Sequence, residues 1–83
     1  MTEIIVYSGQ WEQGKRHHSV RLNGKRDAWV TEHEDGTCYV QMKLDYTMRH
    51  ASVDSIENAF TWIATVECDI AAQFKQYQNR IGA

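Results

Sequence analysis

The chain contains no proline, only five glycines, two cysteines, and no apolar run longer than four residues. Each shortage removes a class of protein. Without proline, and with so few glycines, no stretch reads as an interdomain linker. The 83 residues are therefore expected to form one domain, 1–83, near the lower size at which a core supports itself. The short apolar runs leave no membrane-spanning helix. The first residues, Met1-Thr2-Glu3, lack the basic and apolar regions of a signal peptide. Two cysteines, Cys38 and Cys68, are too few for a disulfide scaffold of this size and read as reduced, buried thiols of a cytoplasmic protein. A net charge of −2 supplies no generic grip on nucleic-acid phosphate.

What is present is a globular composition, with 42% hydrophobic and 11% aromatic residues. The cations are unevenly spread. Lys15, Arg16, Arg21, Lys25 and Arg26 fall within one acid-free stretch that also holds His17 and His18. Acids resume at Asp27.

Ile4-Ile5-Val6-Tyr7 reads as a strand apolar on both faces, which favours an interior place in a sheet, or one face under the helix and the other under a neighbouring loop. His18, Val20 and Leu22 alternate with His17, Ser19 and Arg21, and Asn23-Gly24 then signals a hairpin. Ala28 and Val30 alternate with Trp29 and Thr31 before Glu34-Asp35-Gly36, which suits a hairpin loop with its glycine in the left-handed region. That loop pairs His33 with Thr37, and hence Val30 with Val40, Ala28 with Met42 and Asp27 with Lys43. Carried across the first hairpin, the register sets Val20 opposite Ala28 and Arg21 opposite Asp27. His18, Val20, Leu22, Ala28, Val30, Cys38, Val40, Met42 and Leu44 then share an inward face. Ser19, Arg21, Trp29, Thr31, Tyr39, Gln41 and Lys43 share the outward one.

After a short polar segment, Ser52 is the expected N-cap of a helix, with Asp54 and Glu57 favourable in its first turns. Apolar residues recur from Val53 through Ile56, Phe60, Ile63, Val66, Ile70, Phe74, Tyr77 and Ile81. A helix of ~28 residues would be ~42 Å long, against about 26 Å for an eight-residue strand. It would overhang the sheet, break near Thr61 to Val66, or pack on a partner, which makes Phe74, Tyr77 and Ile81 candidates for a homodimer seam. The expected fold is thus α+β, an antiparallel sheet of three or four strands packed on one long C-terminal helix.

No catalytic or metal-binding set emerges. His17 and His18 point to opposite faces, and no Cys-x-x-Cys or His-x-x-x-His accompanies them. Cys38 faces inward while His33 lies at a loop, so they form no dyad. Gly9 and Gly14 match no phosphate loop. A non-enzymatic protein without a cofactor is expected. The outward face either has functional content or has its aromatics covered by the N-terminal strand, the Trp11 loop or a dimer partner. Trp29 and Tyr39, framed by Arg21, Lys43, Gln41 and Thr31, have the composition of a protein-binding hot spot, and equally of a platform for stacking bases. Lys15, Arg16, Lys25 and Arg26 would extend it as a basic hairpin that steers an anionic partner.

The order of strand, Asn23-Gly24 hairpin, Gly36-turned hairpin and a Ser/Asp-capped helix containing Glu57-Asn58-Ala59 resembles some phage-encoded anti-CRISPR proteins. The resemblance covers most of the chain in architecture. It implies a stoichiometric inhibitor acting in the host cytoplasm on a protein or ribonucleoprotein complex of bacterial defence. The layout is also similar to three-stranded-sheet-plus-helix DNA binders, the arm-site domains of phage integrases and plant AP2-type domains. That likeness implies major-groove contact through Arg21 and Trp29.

Overall fold

A computed structural model describes residues 3–44 and 46–68. Five strands, β1 (Ile4–Ser8), β2 (Lys15–Leu22), β3 (Arg26–His33), β4 (Cys38–Lys43) and β5 (Met48–Val53), form one antiparallel meander in the order β1-β2-β3-β4-β5. A single helix, α1, is described over residues 56–68. The α+β class stands, and the sheet has five strands rather than three or four. Among the described residues no helix is long and apolar enough to cross a membrane.

Both central hairpins carry the expected register. Val20 faces Ala28 and Arg21 faces Asp27. Val30 faces Val40 and Ala28 faces Met42. The turns explain why. Asn23 and Gly24 both sit at positive φ (54° and 67°), and the Lys25 N–H closes the turn on the Leu22 carbonyl at 3.0 Å. In the second hairpin Gly36 has φ 93°, and His33 N–H donates to the Thr37 carbonyl at 2.9 Å. Positive φ is cheap for glycine and tolerable for asparagine, so these residues fix the loop length, which fixes which side chains face the core.

The inward face is buried as expected. Val20, Leu22, Ala28, Val30, Cys38, Val40 and Met42 form one cluster with Ala59, Ile63 and Val66 of α1, and Ile56, Phe60 and Trp62 pack around it. The helical residues recur three or four apart, so they line one stripe that lies along the sheet. Fully burying a side chain such as Leu22 or Ile63 is worth roughly 1.5–3 kcal/mol, and this shared layer is the main source of stability.

Four expectations need correction. The segment at 48–53 is a strand, and Ser52 lies within it opposite Tyr39. The N-cap is Ser55, whose Oγ accepts from Asn58 N–H at 3.1 Å. β1 occupies an edge of the sheet rather than its interior, because only Ile4 reaches the core cluster. Cys38 is buried as foreseen, whereas Cys68 is exposed, on the solvent side of α1. Finally, of the three alternatives for the long helix, a break near Thr61 to Val66 is removed, because α1 is continuous there and the Thr65 hydroxyl donates back to the Thr61 carbonyl at 2.8 Å. The proposed seam residues Phe74, Tyr77 and Ile81 lie outside the described residues.

Candidate functional site

Residues directly opposite each other in an antiparallel sheet share a face, so the pairings assemble the outward surface line by line. Tyr7, Ser19, Trp29, Gln41 and His50 form one line across all five strands. On one side of it lie His17, Thr31, Tyr39 and Ser52. On the other lie Ile5, Arg21 and Asp27, then Lys43 and Met48. With strands about 4.8 Å apart, Tyr7, Trp29 and His50 stand at intervals of roughly 10 Å. Because α1 packs against the opposite face, this surface has no covering layer among the described residues.

The aromatic groups on it are ordered by specific contacts. Tyr39 and His50 stack with ring centres 5.8 Å apart and planes inclined by 19°. His17 Nδ1 lies 3.3 Å from the Thr31 hydroxyl. Trp29 and Tyr39 are half-buried by their neighbours, while Tyr7 stands well out at 66% exposure. Its charges are unbalanced in one direction. Alternation places Lys15, Arg21 and Lys43 on this side, with Asp27 as the one carboxylate among the strand residues that share it. Glu32 belongs to the inward side.

Arg21, Trp29, Tyr39 and Lys43 are therefore brought together as the sequence suggested. The basic hairpin is not one patch. Lys15 and Arg16 open β2, whereas Lys25 and Arg26 flank its far end, roughly 23 Å away at 3.3 Å per residue. Two of the four are already engaged. Arg16 Nε donates to the Gly9 carbonyl at 3.1 Å, and Arg26 forms an ion pair with Glu67 of α1 at 2.9 Å. Arg26 thus ties helix to sheet. Sequence reasoning missed Tyr7 and His50 as members of the face. Local pattern favours an interior strand for Tyr7 and a polar connection for His50.

It also missed a polar trio beneath the sheet. The Ser8 hydroxyl lies 2.8 Å from His18 Nδ1, and His18 Nε2 lies 3.0 Å from Glu32 Oε1. His18 is only 5% exposed and meets the Phe60 ring edge-on, with centroids 6.2 Å apart. Each ring nitrogen of His18 thus has one partner, the serine hydroxyl at Nδ1 and the carboxylate at Nε2, so the ring is held in one orientation. This order matches a nucleophile, its base and an orienting carboxylate. Acyl transfer also needs donors for a developing oxyanion. The adjacent Gly9 N–H is committed to the His17 carbonyl at 2.9 Å. The trio ties β1, β2 and β3 together under the sheet.

Comparison of the chain with protein-family models, with characterised proteins and with solved structures finds no match.

Proposed function

We propose that this is a non-enzymatic binding protein that lays the open face of its sheet on an acidic surface of a partner protein, stoichiometrically. One observation carries the reading: Tyr7, Trp29 and His50 stand in one line on alternate strands of the open face, with Tyr39 stacked on His50 beside it, and cations outnumber carboxylates around them. Large aromatics grouped on an uncovered face are costly to leave in water, and Trp, Tyr and Arg are the residues on which binding energy concentrates. The excess of positive charge selects against basic partners and speeds encounter with acidic ones. The architectural resemblance to anti-CRISPR proteins makes a bacterial defence complex the first partner to try.

The test is capture of a purified candidate complex, with nuclease-treated and untreated samples run side by side. Trp29→Ala and Arg21→Glu should each weaken capture by roughly 30-fold or more, the effect of losing about 2 kcal/mol at a hot spot. Unchanged capture by both well-folded variants would show that this face is not the binding surface.

The stacked Tyr39–His50 pair beside Trp29 also favours a second reading, a platform for single-stranded nucleic acid. Binding that vanishes with nuclease, and that falls steeply with salt, would select it over the protein partner.

A further inference from the structure

The two edges of the sheet are built differently. β5 carries Arg49 on the side facing the core layer, paired with Met42, and an inward-side charge of this kind discourages further strand addition. β1 has no such guard. Ile4–Ser8 contains no charge, proline or glycine, and Ile5, Val6 and Tyr7 are 40%, 38% and 66% exposed.

Among the described residues, the hydrogen bonds say which backbone groups point away from β2. Gly9 N–H donates to His17 and Glu3 accepts from Asn23, so the odd-numbered residues of this segment turn their N–H and C=O toward β2. In an antiparallel ladder the alternate residues point the other way. Ile4, Val6 and Ser8 therefore present their backbone donors and acceptors to the open edge.

We propose that β1 pairs antiparallel with β1 of a second copy, about a two-fold axis at Val6. This pairing sets Val6 opposite Val6, Ile4 opposite Ser8, and Ile5 opposite Tyr7 of the other chain. Each edge-directed N–H and C=O then meets its counterpart. A slip of one residue would set them against groups already bonded to β2. The side chains agree with the register. Ile5 and Tyr7 lie on the open face, where a β-branched residue against an aromatic is a favourable cross-strand pair, formed twice by symmetry. No charge lies on either strand, so nothing repels across the axis. An isologous contact of this kind closes on itself and stops at the dimer. It also joins the two open faces into one continuous surface, with Tyr7 of both chains near its centre. The seam is separate from any contact through Phe74, Tyr77 and Ile81.

Sedimentation equilibrium on the full chain tests the proposal, with far-UV circular dichroism to confirm folding. The wild type is expected at twice the 9.7 kDa chain mass, with little dependence on salt. Val6→Pro deletes a donor that points to the open edge and leaves the β1–β2 bonds in place, so it should be monomeric. Independently, the double variants Ile5→Lys/Tyr7→Lys and Ile5→Glu/Tyr7→Glu should each be monomeric alone and dimeric when mixed. A wild type that stays monomeric at high concentration overturns the proposal. So does a dimer that persists in Val6→Pro and in both double variants, or a mixture of the two charged variants that fails to associate.

Discussion

Replacing His18 with alanine removes one buried ring and strands two polar partners at once. The Glu32 carboxylate loses a 3.0 Å hydrogen bond to a nitrogen, and the Ser8 hydroxyl loses one of 2.8 Å. A bond to a charged group is worth about 1.5–3 kcal/mol and a neutral one about 1 kcal/mol. The edge-on contact with Phe60 adds about 0.5–1.5 kcal/mol. Ser8 is exposed and recovers most of its loss from water, so the expected cost is about 3 kcal/mol. By the same reasoning Ser8→Ala should cost about 0.5 kcal/mol, and Glu32→Gln about 1 kcal/mol, because an amide keeps a neutral hydrogen bond to Nε2 in place of a charged one.

A domain of this size has roughly 4–12 kcal/mol of stability in all, so the His18 variant should lose a large share of it. Urea unfolding, followed by fluorescence of Trp11, Trp29 and Trp62, measures the difference from the shift in midpoint at constant slope. Two results would refute the structural role of the trio. One is a His18→Ala variant within about 0.5 kcal/mol of wild type, well below the sum of the lost bonds. The other is hydrolysis of an activated ester that disappears in Ser8→Ala, which would make the serine a nucleophile.

The remaining predictions concern the thiols and the second hairpin. Cys68 should react with a thiol reagent in the native protein while Cys38 reacts only on unfolding, and equal rates would show the core assignment to be wrong. Burial, followed by the Glu32 and Asp35 carboxylates, pushes the Cys38 thiol above its ordinary value of 9.0. Its contribution to stability is therefore complete below the ordinary value and lost as pH rises through the folded one, so wild type should weaken in alkali more than Cys38→Ala does. At Asp35 the Thr37 hydroxyl and then the Thr37 N–H, which donate at 2.7 and 3.0 Å, hold the carboxyl below its ordinary value of 3.8. The stabilisation is present above that value and lost as pH falls through the lower folded one. Carboxyl titration by NMR should show the depression in wild type and less of it in Thr37→Val.

The hairpins were legible because two kinds of signal agreed. Asn23-Gly24 and Gly36 set loop lengths, and alternation from His18 to Met42 left one register that kept the apolar set together. β5 was not legible, since Met48–Val53 has one β-branched residue, and Ser52 with Asp54 imitates the start of a helix. Choosing between Ser52 and Ser55 as the cap required knowing that β4 had an unpaired side. The edge position of β1 was hidden for a related reason: an apolar strand is buried or exposed according to what lies beside it, which no local pattern states. The trio was within reach. His18 stood among inward apolar residues, and a buried polar group needs partners. Glu32 sits two residues beyond Val30, the residue opposite His18, so the same register places its carboxylate beside the imidazole.

Among the described residues, one helix on one face of a five-stranded sheet leaves the other face without a layer of its own. Natural sheets in that position are polar on the open side, and most of this one is: Ser19, Thr31, Gln41 and Ser52 alternate with the buried residues. Four of the exceptions fall in two groups, Trp29 and Tyr39 at the centre and Ile5 and Tyr7 at the edge that also has unpaired backbone, with Met48 apart from them at the opposite edge. Solubility alone would be served by replacing those four with threonine or lysine, at no cost to the core that Val20, Val30 and Val40 build from the other side. The dimer accounts for Ile5 and Tyr7 but leaves Trp29 and Tyr39 two or more strands away from its seam. Those two require a separate occupant, so edge pairing and partner binding should be separable: Trp29→Ala should remain dimeric while losing its partner, and Val6→Pro should keep the partner at the affinity of a single face.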